Sequence, residues 1–251
     1  MDENDEAQIL FGDLHVHSTF STDAFLWSMP LYGGEGVYPI ADACDYARYC
    51  SGIDFWAITD HAEATTKKRW SQTKQSLRDC NARAGDPSNP DMISYLGFEW
   101  SQVGPTPETH YGHKNVIFEG LEDKELAMRP IASGGLATEV LRNQSSNMMP
   151  RSTVFLDFEN RQVYYDIRKY LSEIGEAPSC DPSLPSNELP DDCFEIAETP
   201  ADLVERLGQQ NLNPLIIPHG SSWGFYTPFR TTWDKQLKAA MYPEKFKLIE
   251  I

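Results

Sequence analysis

The sequence predicts an α/β protein built from parallel βαβ units, and three observations carry that prediction. Short apolar runs of strand length alternate with longer stretches of helical period between Gln8 and Phe118. The alternation returns after a long interruption, from about Thr199 onward. The histidines and isolated carboxylates fall at the ends of the strand-like runs, where parallel sheets gather their chemistry.

Taken in order, "QILFGDL" (Gln8 to Leu14) reads as the first strand. A helix from about Val37 to Cys50 follows, with Ile40, Cys44 and Ala47 on one face and Gly52 ending it. "IDFWAITDH" is a second, buried strand, and a polar helix spans about Lys67 to Ala84. "MISYLGFEW" and "HKNVIFEG" supply a third and a fourth strand. From Leu121 to Leu189 the alternation stops, and Gly, Ser, Asn and Pro clusters surround one helix, about Asp157 to Leu171, with Val163, Ile167, Tyr170 and Leu171 on one face.

Thr199, Pro200 and Asp202 then form a helix start, Leu203, Val204 and Leu207 its apolar face, and Gly208 its close. "NPLIIPHG" is a fifth strand and "FKLIEI" a sixth. The expectation is a single domain with a core of residues 8–120 and 190–251 and an insertion of 121–189. A parallel strand buried on both faces needs neighbours and a covering helix. A chain that stops at Ile251 is therefore expected to be incomplete, with a missing C-terminal segment of the same protein supplying the last strand or strands.

Composition narrows the function. A chain of 251 residues with 40% hydrophobic content has room for one sizeable core. The 21 basic against 38 acidic residues give a net charge of −17, which argues against nucleic acid or an anionic membrane as partner. No apolar run approaches the roughly 18–20 residues that span a bilayer, and "MDENDE" is the reverse of a basic, apolar secretion signal, although Met1 could also replace a removed leader.

Cys180 and Cys193 flank the proline-rich "DPSLPSNELPDD", where a disulfide would hold a segment that cannot pack itself. Cys50 and Cys80 lie near predicted helix ends and form a second candidate pair, leaving Cys44 as a buried thiol. Either bridge favours a periplasmic or secreted protein over a cytoplasmic one.

The site candidates come from placing polar residues on the strands. His15 and His17 close the first strand, Asp60 and His61 the second and Glu99 the third; His113 opens the fourth and His219 closes the fifth. A lone histidine at a strand end is ordinarily a hydrogen-bonded structural residue. Two imidazoles one residue apart share a side of a strand, so "HVH" can grip one ion, and structural roles do not require repetition on further strands. Imidazole and carboxylate together suit borderline divalent metals in an open, catalytic site.

"DLHVHSTFSTDA", "AITDHAE", "GFEW", "GHKNVIF" and "IIPHG", in that order, resemble the polymerase and histidinol phosphatase (PHP) superfamily, closest to its long-insert branch of largely unassigned function. The resemblance implies a distorted seven-stranded (β/α)7 barrel with a trinuclear site at the strand C-termini. It implies that His15, His17 and Glu99 hold a first ion, that Glu99 bridges to a second held by His113 and His219, and that Asp23 with His61 holds a third. Asp60 becomes a partner that orients an imidazole. The family's late Asp-x-His motif does not follow His219 here.

The expected activity is hydrolysis of a small-molecule phosphate ester by a hydroxide bridging two of two or three divalent ions (Mn, Zn or Fe). An amidohydrolase-like attack on C–N or carboxyl-ester bonds and a non-catalytic metal-binding module are the alternatives. No lysine ends a strand, which counts against the former.

Overall fold

A computed structural model describes residues 9–36, 38–143, 149, 151–220, 224, 226–232, 248 and 250. In chain order the elements begin with β1 (Gly12–Val16), α1 (Thr22–Trp27), α2 (Ile40–Asp45), β2 (Phe55–Ile58) and α3 (Lys67–Asn81). A tight hairpin of β3 (Gly85–Asp86) and β4 (Asn89–Pro90) leads into β5 (Ile93–Gln102) and β6 (Gly112–Ile117). Then come β7 (Ile131–Ser133), α4 (Leu136–Asn143), α5 (Thr153–Leu156), α6 (Arg161–Glu176), β8 (Glu195–Ala197), α7 (Pro200–Gln209) and β9 (Leu215–His219).

The main sheet has five strands in the order β1-β2-β5-β6-β9, curled into a half-barrel. The α/β class holds, but the expected (β/α)7 barrel is not what these residues form. β1, β2 and β5 are parallel, whereas β6 runs antiparallel to both β5 and β9. The reason is the connection: only the loop 103–111 separates β5 from β6, and a parallel crossover needs about a dozen residues or more. The chain therefore doubles back. Within the insertion, β7 leaves the main sheet and pairs in parallel with β8.

Smaller expectations shift as well. β1 starts at Gly12 rather than Gln8, the helix expected over Asp157 to Leu171 is α6 at Arg161–Glu176, and α2 is extended by a π-helical turn over Tyr46–Ser51. The start at Thr199 is as expected, with its hydroxyl accepting from the Asp202 amide at 3.2 Å. Most of "FKLIEI" lies outside the described residues, but the Glu250 amide donates to the Pro218 carbonyl at 3.1 Å, alongside β9.

Side chains alternate across the sheet and divide it into two faces. Trp56, Ile58, Leu96, Phe98, Trp100 and Val116 pack outward with Trp70 and Leu77 of α3, Cys44 of α2 and Leu203 of α7. Trp70, Phe98 and Phe118 form an aromatic core with centroids 6.1–6.4 Å apart. On the concave face Leu14, Ala57, Tyr95, Ile117, Ile217 and Leu215 form a smaller cluster. The next inward positions along the strands carry Glu99, His113 and His219.

Gly97 lets the neighbouring strands approach β5 closely, since a Cβ there would lie 2.6 Å from the Val116 carbonyl and 3.1 Å from that of Ile58. A second core lies under the insertion, where Tyr164, Ile167, Tyr170, Leu171 and Ile174 of α6 meet Phe25 of α1 and Met29. The Tyr170 hydroxyl reaches the carbonyls of Phe20 and Ala64, so the insertion clamps the loops that follow β1 and β2.

Two disulfides are present. Cys180–Cys193 is the expected one, while the second is Cys44–Cys80 rather than Cys50–Cys80, and Cys50 is an exposed free thiol. Ile40, Cys44 and Ala47 share the buried face of their helix, and Cys50, six residues beyond Cys44 and within the π-helical turn, falls on the solvent side.

Candidate metal centre

Glu99 is the hub. Its side chain is 1% exposed, at the inward-facing end of β5, and histidines from four other segments surround it. Oε2 lies 3.2 Å from His15 Nε2 and 3.0 Å from His17 Nε2; Oε1 contacts His113 Nδ1 and lies 3.3 Å from His219 Nε2 and 3.6 Å from His61 Nδ1. The antiparallel turn of the chain accounts for His113 opening its strand. β6 starts where β5 ends, and the β6–β9 register pairs His113 with His219. Gly220 then turns away with φ +57, where a Cβ would also lie 2.8 Å from the His113 ring.

Surrounding groups orient the imidazoles. Ser101, two residues from Glu99 and so on the same face of β5, donates to Glu99 Oε1 at 2.8 Å and sits 2.8 Å from His61 Nδ1. Asp60 does not touch an imidazole. It accepts from the Ser18 amide and hydroxyl, both at 2.7 Å, and from the Ser21 hydroxyl at 3.0 Å, while Ser21 Oγ stands 2.7 Å from His17 Nδ1. Asp60 thus steers His17 through Ser21.

The charges are strongly coupled. Burial disfavours a charged Glu99, yet the His61 charge and the hydrogen bonds of His113, His15 and His17 hold its carboxyl well below the usual range. Burial likewise opposes charge on His15 and His61, but Glu99 and Glu250 lift His15 to about 9, and Glu99 with Asp23 lifts His61 to about 10. His219 is pushed down, by burial and by the neighbouring His15 and His113. Asp23, despite burial, is drawn down to about 2 by His61. Desolvation raises Asp60.

This donor set fits divalent metal. Five imidazoles crowd one carboxylate, and the Nε2 atoms of His15 and His17 are 3.0 Å apart. A shared cation satisfies such a set where a single carboxylate cannot. Among the described residues, three groups have ligand atoms within 4.8 Å of one another: His15, His17 and Glu99; His61, Glu99 and His113; and His15, His219 and Glu250.

The first is the trio expected from sequence. The others redistribute the expected sets. His61 joins Glu99 and His113, while His219 groups with His15 and Glu250, whose Oε1 is 2.8 Å from His15 Nδ1. Asp23 reaches His61 at 3.3 Å but belongs to none of the three groups.

Sequence reasoning missed Ser21, Ser101 and Glu250. The period-two spacing from Glu99 carries a signal for Ser101, and an acidic residue inside the apolar "FKLIEI" carries one for Glu250. The sixth histidine, His110, is buried with Nε2 3.2 Å from the Gly220 carbonyl.

Residues 4–81 match a family described as "Protein of unknown function (DUF3604)", a stretch that includes His15, His17, Asp23, Asp60 and His61. No curated protein and no solved structure matches the chain.

Proposed function

We propose that the chain is a metal-dependent hydrolase of small-molecule phosphate esters. The observation that carries this reading is the convergence of His15, His17, His61, His113 and His219 on the single buried carboxylate of Glu99. Two or three divalent ions, Mn, Zn or Fe, would be held by these residues with Asp23 and Glu250. When bound they supply Lewis-acid polarisation of a phosphoryl oxygen and activation of water at neutral pH.

The chain's own residues do the rest. Glu99 ties the imidazoles to one point, Ser101 fixes Glu99 and His61 together, and Asp60 holds His17 through Ser21. No Lys or Arg lines the cavity beside the cluster, among the described residues, so the positive field for an anionic substrate falls to the cations. Lys114, one residue from His113, is turned to the opposite face of β6, where Nζ donates to the Tyr111 carbonyl at 2.7 Å and sits 5.1 Å from the Trp100 ring centroid. It is not placed as a bridging lysine of amidohydrolase chemistry would be.

The two disulfides support a periplasmic or secreted setting. No helix of the described residues is long and apolar enough to cross a membrane.

The test is turnover of aryl phosphate mono- and diesters with Mn, Zn or Fe, measured beside His15→Ala and Glu99→Ala. Loss of about 100-fold or more in each variant is expected, by the size of effects seen when metal-site groups are removed. Full turnover in either variant rules the reading out. Cleavage of amides or carboxyl esters in place of phosphate esters transfers it to the other hydrolase class.

A further inference from the structure

Beside the histidine cluster lies a cavity of about 320 Å³, within the size range of small-molecule sites. Its lining combines two chemistries. Asp23, His61 and His113 belong to the candidate metal centre, whereas Leu26 of α1, Val103 just after β5, and Ala137 and Val140 of α4 form an apolar wall. Among the described residues its lining holds no Lys, Arg, Asn or Gln.

The other polar groups at the cavity are Thr22, Glu63, Ser101 and Tyr226. Glu63 is fully buried, with Oε1 engaged by the amides of Ser101 at 3.0 Å and Ser133 at 2.8 Å, while its Oε2 and Thr22 Oγ1 have no hydrogen-bond partner among the described residues. The α4 wall is anchored from behind, since Thr138 Oγ1 donates to the Ser133 carbonyl at 2.6 Å and Leu141 packs into the core under the insertion. The apolar surface is thus a fixed part of the fold.

We infer that this cavity receives the alcohol portion of the substrate and selects esters whose leaving group is an aryl ring or a medium-length alkyl chain over esters of polyols and sugars. The inference rests on the phosphoesterase reading, because the cavity acquires this role only if the cluster holds the phosphoryl group. The wall then meets the part of the substrate beyond the ester oxygen. An apolar chain there leaves water for Leu26, Val103, Ala137 and Val140. A polyol would bury hydroxyls against a wall without amide or cationic partners, at a cost of roughly tenfold in binding for each one left unmatched.

The test compares n-hexyl phosphate with sorbitol 6-phosphate, both six-carbon primary alkyl monoesters, using the manganese-loaded full chain. It runs alongside calorimetric binding of the non-hydrolysable n-hexylphosphonate. The expected kcat/KM ratio is roughly 30-fold or more in favour of the hexyl ester. Ala137→Phe, which fills the cavity, and Val140→Asp, which charges its wall, are expected to bring that ratio below about threefold and to weaken hexylphosphonate binding about tenfold. Val140→Thr, nearly the same shape, gives a milder shift in the same direction should Val140→Asp fail to fold.

Equal turnover of both esters, with a ratio unmoved by the variants, overturns the inference and leaves the phosphoesterase reading standing. No turnover of either ester, with hexylphosphonate binding that Val140→Asp weakens, upholds the apolar cavity and overturns that reading. Absence of both turnover and binding overturns both.

Discussion

Glu99 is the residue on which the five imidazoles converge, and the groups behind it set their orientation. The carboxylate of Asp60 reaches His17 only through the Ser21 hydroxyl, with Oδ1 and Oδ2 also engaged by Ser18. Asp60→Asn preserves shape but turns an acceptor into a donor against two hydroxyls and an amide. Metal affinity is expected to fall 10- to 100-fold by calorimetry, with secondary structure by circular dichroism unchanged.

Protons and metal also compete for the same nitrogens. His15 and His61 are raised to about 9 and 10 by their carboxylate neighbours, so both carry protons at neutral pH before metal arrives. Metal binding at pH 7 is expected to release protons, which titration in buffers of different ionisation enthalpy measures directly. Binding tightens as pH rises toward those values.

At the scale of the element, α6 positions the loops that carry the site. α6 of the insertion packs onto α1 and, through Tyr170, onto the loops after β1 and β2. Its outer anchor is Glu173, which accepts from Thr66 Oγ1 at 2.6 Å and Arg69 at 3.2 Å, near Lys68 at 3.5 Å. Burial opposes the charge, but these partners hold its pKa below the ordinary 4.5. Because the folded value is depressed, the contribution is present above 4.5 and is lost as pH falls through the folded value.

Glu173→Gln is therefore expected to cost about 0.5 kcal/mol at pH 7, solvent screening considered, and nothing once pH lies below the folded value. Denaturant melts at pH 7 and pH 3 check this. The proline-rich loop depends on its cross-link in a similar way. Replacing Cys180 and Cys193 by Ser opens a closure of sequence separation 13 and is expected to cost about 3 kcal/mol in the same melts.

At the scale of the molecule, the proposed function would have an acidic chain of net charge −17 meet an anionic substrate with cations enclosed in a half-barrel rather than with displayed lysines. The parallel half of that sheet was legible from sequence, because β1, β2 and β5 are separated by stretches long enough for helical crossovers, the first of them ended by Gly52. The antiparallel half was not. "HKNVIFEG" has the same apolar run in either direction, and only the short loop 103–111 betrays the reversal.

The candidate ligands were readable for the same reason the parallel strands were: "HVH", "TDH" and "GFEW" sit at strand ends that must converge. Glu250 and the serines were hidden because their roles depend on which strands become neighbours, a property of the whole sheet rather than of any segment. The sharing of His61 between Asp23 and the Glu99–His113 group has the same origin.

Anomalous diffraction from crystals grown with manganese tests the central claim most directly. A peak about 2.0–2.3 Å from the Glu99 carboxylate and the His15 and His17 imidazole nitrogens is the expected result. Density free of any such peak, with His15, His61 and Glu99 directed to separate places, would contradict it.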